Sequence, residues 1–270
     1  MRKYIALILV PLALLMLNAC FTNPVTGNKS LALVDDGQMR TLAAQQYKTF
    51  LAANPPIKGT AEAAMVERVG NKLAGAVQQY LAAKGQANLV QGYQWEFNLV
   101  NNKEVNAWCM PGGKVVVYSG IIPVVQNEAG LAVVLGHEIG HAIARHSNAR
   151  MSEQLVAQAG GATLSAALSQ KPAETQNIFN ALYGIGAQGY SLHYSRGQED
   201  EADEMGLYFM AMAGYDPHEA VNFWQRMSSK AQSPEGILVY LSDHPSNSAR
   251  IKHIQELMPK AMSYYHPQQQ

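Results

Sequence analysis

His137-Glu138-Ile139-Gly140-His141 lies inside an apolar-periodic run from about Glu128 to His146, which the pattern predicts as one helix. Residues four apart on a helix stand nearly one above the other, so both imidazoles can reach one metal ion. Glu138 is turned about 100° from His137, close enough to meet a water at that ion without coordinating the ion itself. Gly140, lacking a side chain, is expected to open the groove between the two histidines. A catalytic zinc takes three protein ligands and keeps one position open, so the remaining ligand must come from elsewhere in the chain.

The outstanding source is Ser195-Arg196-Gly197-Gln198-Glu199-Asp200-Glu201-Ala202-Asp203. Glu199 and Asp203 are four apart and share one face if the segment is helical. One could coordinate the metal while the other hydrogen-bonds the far nitrogen of a ligating histidine, fixing its tautomer and raising its basicity. Asp200, Glu201 and Glu204 read as a solvated acidic face. His146, His193, His218, His253 and His266 read as ordinary histidines.

Upstream, Asp35 and Asp36 can cap a helix from about Gln38 to Leu51, and Pro55-Pro56 ends it. A second helix after Thr60 places Val66, Val69, Leu73, Val77 and Tyr80 at helical spacing. Tyr93 to Val100 alternates as a strand, Asn101-Asn102 turns it back into Val105 to Met110, and Pro111-Gly112-Gly113 turns tightly into the β-branched Lys114 to Tyr118. From Asn127 the pattern is helical almost to the end. Leu155 to Gln170 and Thr175 to Ser195 lack charged residues but are rich in small ones, which suits soluble helices in close packing. The fold class read from this order is α+β, predominantly helical, with a small antiparallel sheet.

Composition narrows the function. With 48% hydrophobic and 15% charged residues, the 270-residue chain is too apolar to be disordered. Twenty basic residues against twenty acidic ones leave no field to attract a phosphate backbone, so no nucleic-acid partner is expected. No apolar run is long enough for a multi-span membrane protein. The chain opens with Arg2 and Lys3, then the apolar Tyr4 to Leu17, then Leu17-Asn18-Ala19-Cys20, which resembles a bacterial lipobox. The expected organisation is a signal peptide at 1–19, a lipidated linker at 20–37, a single catalytic domain at 38–265 and a tail at 266–270. Acyl chains on Cys20 would anchor the domain to a membrane. Phe21 after that cysteine favours an outer-membrane lipoprotein facing the periplasm of a Gram-negative bacterium. Cys109 is then without an intrachain partner and reads as a small buried hydrophobe.

Further segments complete a pattern: Asn23-Pro24-Val25-Thr26-Gly27, Val105-Asn106-Ala107-Trp108 before Pro111-Gly112-Gly113, Ala213-Gly214-Tyr215-Asp216-Pro217, and His244-Pro245 before Arg250-Ile251. With the His137–His141 and Ser195–Asp203 segments, and in this order, the chain resembles the gluzincin metallopeptidases of the HtpX and CAAX-prenyl-protease type, in their branch of small periplasmic lipoproteins. The resemblance implies a zincin-type active-site helix beside the sheet, and one Zn2+ per chain held by His137, His141 and Glu199. It further implies Glu138 as catalytic base, with Asp203 as the acid behind a ligand. Asn106, Ala107 and Trp108 would border the substrate cleft, where an edge strand can pair with an extended peptide, although the same residues could simply be core sheet. His244 and Arg250 become catalytic elements that stabilise the tetrahedral oxyanion. His244 can also fill the open metal position in a latent state. The implied function is a zinc-dependent endopeptidase that cuts unfolded or misassembled envelope proteins. The alternative is a zinc-stabilised lipoprotein acting as a chaperone or assembly factor with a dormant site.

Overall fold

A computed structural model describes residues 20–158, 172–183, 194–230, 240–241, 244 and 248–266. The expected signal segment 1–19, Pro245, parts of the two uncharged stretches and the end of the tail lie outside the described residues. Strand β1 (Cys20–Thr22) pairs antiparallel with β2 (Lys29–Leu31) across the Asn23–Gly27 turn. Helix α1 (Asp36–Ala53) starts on Asp35, whose side chain accepts from the Gln38 N–H at 3.1 Å. Helix α2 (Ala61–Ala83) is capped in the same way by Thr60. Val66, Val69, Leu73, Val77 and Tyr80 all turn inward from α2, as their spacing requires.

The second sheet holds β3 (Glu96–Val100), β4 (Ala107–Met110) and β5 (Lys114–Tyr118) in the order β3-β5-β4. The expected return of β3 directly onto β4 does not occur. Instead β5 lies between them, antiparallel to β4 and parallel to β3. The reason is burial: Val115, Val116 and Val117 form a run buried on both faces, which suits a central strand, and the Gly112-Gly113 turn at φ 89° and 82° folds it onto β4. Alternation then splits the core. Ala107, Cys109, Val115 and Val117 face the main core, while Trp108, Met110, Val116 and Tyr118 face a second cluster with Tyr47, Phe50 and Met151. Cys109 is a free buried thiol whose pKa burial pushes up, with Glu138 adding to the shift, so it packs as a small hydrophobe.

After the short helix α3 (Ile122–Val125), α4 (Glu128–Ile143) carries both histidines of the opening motif. It stops earlier than its periodicity suggests. Arg145 takes φ 58°, a left-handed conformation unfavourable for a residue with a Cβ, and α5 (His146–Gln158) begins at once. Arg145 is held there by an ion pair with Asp36 and by the Phe21 ring 4.3 Å from its guanidinium carbon. Next come α6 (Pro172–Tyr183), α7 (Arg196–Met212), α8 (Glu219–Lys230) and α9 (Ser248–Met262). Among the described residues no helix is long and apolar enough to cross a membrane. The fold is therefore α+β and predominantly helical, with α4 packed beside the sheet.

Helices α4 and α7 meet backbone to backbone. A Cβ on Gly140 would stand 2.9 Å from the Ala202 carbonyl oxygen, and one on Gly206 would stand 2.8 Å from the His137 nitrogen. Gly140 thus admits the neighbouring helix rather than opening a groove between the histidines, as the sequence alone suggested. Replacing Gly206 by Ala is expected to cost about 1–3 kcal/mol through overpacking against a backbone that cannot yield. Urea unfolding of the variant measures this, and a change below about 0.5 kcal/mol would contradict the described contact.

Candidate metal centre

Helix α7 begins with a capping box. Ser195 Oγ accepts from the Gln198 N–H at 3.3 Å, and Gln198 Oε1 accepts from the Ser195 N–H at 3.0 Å. That start sets Glu199 in the first turn, facing α4. His141 Nε2 lies 3.0 Å from His137 Nε2 and 3.2 Å from Glu199 Oε1, and His137 Nε2 lies 3.4 Å from Glu199 Oε2. A tetrahedral ion with ligand bonds of about 2.0–2.1 Å separates its donors by about 3.3 Å. The triangle therefore has the size that zinc requires. Two of its vertices, His141 and Glu199, are also in the right state. At His137 burial works to lower the pKa, but Glu199 and Asp203 outweigh it and raise it, so that ring releases a proton when an ion binds. Burial pushes the His141 pKa well down, with His137 adding to the shift, so the ring stays neutral. Burial works to raise the Glu199 pKa, but His244 and His137 outweigh it and hold the acid ionised. Neutral imidazole and ionised carboxylate are the forms that bind a metal.

Asp203, one turn beyond Glu199, accepts from His137 Nδ1–H at 2.9 Å, which leaves the Nε2 lone pair for an ion. Burial would raise the Asp203 pKa, but Arg250 overrides it. The guanidinium donates to Asp203 twice, from Nε and from a terminal nitrogen, each at 2.7 Å, and its other terminal nitrogen is 3.0 Å from Glu199 Oε2. Trp224 of α8 lies flat beneath it, with the ring centroid 3.5 Å from the guanidinium carbon. Arg250 thus pairs with both Glu199 and Asp203, the two acids of α7 that face α4.

His244 joins the cluster. Its Nδ1 is 3.1 Å from His137 Nε2 and 3.0 Å from Glu199 Oε1, and its Nε2 is 3.4 Å from Glu138 Oε1. His137, His141, Glu199 and His244 each offer a donor atom, all within 4.8 Å of one another. Glu138 is buried beside them, its Oε1 3.5 Å from the Tyr240 hydroxyl. Asn106, Ala107 and Trp108 are buried too. Trp108 stands edge-on to Phe50 and Tyr47 in the second core, and the Ala107 N–H donates to the Asn106 side chain at 2.8 Å. Sequence reasoning missed several partners. Tyr194 stacks on His141 with ring centroids 3.8 Å apart, while His146, read as ordinary, is buried against the far nitrogen of His141, and Glu201, read as solvated, is buried against His146. Little could have revealed them, because Glu201 falls off the Glu199–Asp203 face and shows its burial only once α7 is seen to be enclosed almost all round.

Fold and donor set together match what a metallopeptidase of the two-histidine, one-glutamate type requires. The profile of Peptidase family M48 matches residues 61–258, and the chain belongs to that family. Mitochondrial metalloendopeptidase OMA1 of Schizosaccharomyces pombe is 33% identical over 185 residues, covering 68% of this chain and 52% of that protein. OMA1 of Homo sapiens is 26% identical over 249 residues, covering 89% of this chain and 46% of its own. The beta-barrel assembly-enhancing protease of Yersinia pestis is 32% identical over 160 residues, covering 58% of this chain and 33% of that protein. The chain thus spans about half the length, or less, of these relatives. The likeness to the HtpX and CAAX-prenyl-protease type holds at the level of the family, whereas these relatives carry other names. They also overturn the expected address: the larger shares of this chain match mitochondrial proteins, and an outer-membrane lipoprotein facing the periplasm is not supported.

Removing one partner of a buried, hydrogen-bonded ion pair costs about 3–5 kcal/mol, because the other charge is left uncompensated. Arg250→Ala is therefore expected to destabilise the metal-free protein by that amount in urea unfolding. A loss under about 1 kcal/mol would show that Arg250 does not brace the site.

Proposed function

We propose that the chain is a zinc-dependent endopeptidase that hydrolyses internal peptide bonds, with His137, His141 and Glu199 holding one Zn2+. The single observation that carries this reading is the triangle of three buried side chains, His137, His141 and Glu199, whose donor atoms approach one another at 3.0–3.4 Å, with a second buried carboxylate, Glu138, beside them. Zinc in that position would supply a Lewis acid that polarises a scissile carbonyl and brings the pKa of water to about 7. Glu138 takes the proton from the attacking water as its oxygen bonds to the carbonyl carbon. It returns that proton to the amine nitrogen as the carbon–nitrogen bond breaks. Asp203 and Arg250 hold His137 and Glu199 in place while this happens.

His244 belongs to the same proposal as the group that makes the site latent. It lies against His137, Glu199 and Glu138, in the space a substrate carbonyl would need. Its displacement opens the site. The substrates proposed are unfolded or misassembled polypeptides, envelope proteins among them, a class supported by the name of the Yersinia pestis relative. The edge of β4 at Asn106, Ala107 and Trp108 is the proposed border for an extended peptide, contributing main chain rather than side chains. Membrane attachment through acylated Cys20, which is exposed at the start of β1, is a further part of the proposal.

Glu138→Gln is expected to keep stoichiometric zinc and to lose casein cleavage by a factor of about 10²–10⁴. Cleavage at the wild-type rate would refute the assignment, and an assembly or chaperone role that survives the substitution would favour the binding-module reading. His244→Ala is expected to cleave casein faster than wild type, and an equal or lower rate would remove the latent state.

A further inference from the structure

The turn Asn23-Pro24-Val25-Thr26-Gly27 plays no part in the chemistry above, yet it ends in the metal centre. Asn23 is 2% exposed, and its side chain works in two directions. Oδ1 accepts from the Val25 N–H at 2.9 Å, closing the turn, while Nδ2 donates to Glu201 Oε1 at 2.6 Å. The Thr26 hydroxyl donates to the same oxygen. The other oxygen of Glu201 accepts from His146 Nε2 at 3.1 Å, and His146 Nδ1 lies 2.8 Å from His141 Nδ1. Gly27, at φ 81°, lets the chain turn back so that its N–H reaches the Asn23 carbonyl at 2.8 Å.

We propose that this N-terminal turn is a positioning element of the metal site, in which Asn23 and Thr26 hold Glu201, Glu201 orients His146, and His146 fixes the tautomer and ring plane of His141. The inference rests on the reading of His141 as a zinc ligand. With an ion on His141 Nε2, only one assignment of protons satisfies the contacts from His141 through His146 to Glu201. His141 must keep its Nε2 lone pair for the ion, so its Nδ1–H donates. His146 Nδ1 then accepts, leaving its Nε2–H to donate to a carboxylate that can only accept. Glu201 is thus to His141, through one intervening ring, what Asp203 is to His137 by direct contact. The early end of α4 at the left-handed Arg145 serves the same arrangement, because it starts α5 on His146 and turns that ring toward His141.

The test is zinc affinity of the full chain, measured by competition with a chromophoric chelator, with urea unfolding of each metal-free variant as the fold control. Glu201→Gln and His146→Phe are each expected to weaken zinc binding by about 10–100-fold. Thr26→Val, a shape-preserving change remote from the ion, is expected to weaken it by about fivefold, the equivalent of one hydrogen bond. A network that merely aids folding would lower the urea midpoint and leave the affinity of the folded protein alone. Coupling separates the two: in the His146→Phe background, Thr26→Val should have no further effect on zinc, since the connection is already cut. Dissociation constants within twofold of wild type for Thr26→Val and Glu201→Gln would overturn the proposal, as would a Thr26→Val effect that persists undiminished without His146. Should His146→Phe fail to fold, the Thr26→Val and Glu201→Gln values decide alone. Failure of the metal reading looks different: a wild-type chain that binds no zinc, or keeps it after His141→Ala, overturns both.

Discussion

The closeness with which α4 and α7 cross determines whether a metal site exists. A helix can present two imidazoles on one face by itself, but the third donor belongs to another helix and must come within about 3.3 Å of both. Glycines at 136, 140 and 206 let the two backbones touch, so Glu199 reaches the histidines from the first turn of α7. A methyl at any of these points would stand within 2.9 Å of the facing helix's backbone, so the two helices would have to move apart. The Ser195 capping box contributes from the other direction, since it fixes where α7 begins and therefore which residue faces α4.

Charge is the second constraint. Glu138, Glu199 and Asp203 are buried carboxylates, and Arg250 is the buried guanidinium that faces two of them. Uncompensated charge in such a place costs several kcal/mol per ion, so the cluster holds together only if its charges are paired. Arg250 offsets part of the excess, and Trp224 lets it do so away from water. A dication between the three ligands would make the remainder neutral. On the proposed zinc reading, Asp203 and Glu201 are parallel devices: each would orient a ligating ring from behind, one directly and one through His146.

Much of this was legible in the sequence because it is local. The HExxH spacing, the Glu199–Asp203 pair, the Asp35 and Thr60 caps and the periodic face of α2 each depend on residues within a turn or two of one another. What the sequence could not show is set by contacts across the fold. The place of β5 between β3 and β4 follows from burial on both faces, which a short Val run signals only ambiguously. The break at Arg145 interrupts a pattern that reads as continuous helix, and is stabilised by Asp36 and Phe21 more than a hundred positions away. Gly140 looked like a space and is a contact. Glu201 looked solvated because charge patterning assumes one exposed helix face, and α7 has almost none.

The account stands on two rings and one carboxylate sharing a single cation. X-ray absorption at the zinc edge of the loaded protein tests that sharing directly. The expected spectrum is a first shell of nitrogen and oxygen only, at about 2.0–2.1 Å, with outer-shell scattering from imidazole. A sulfur shell at about 2.3 Å, placing Cys109 or Cys20 on the metal, or a spectrum without imidazole, would contradict it.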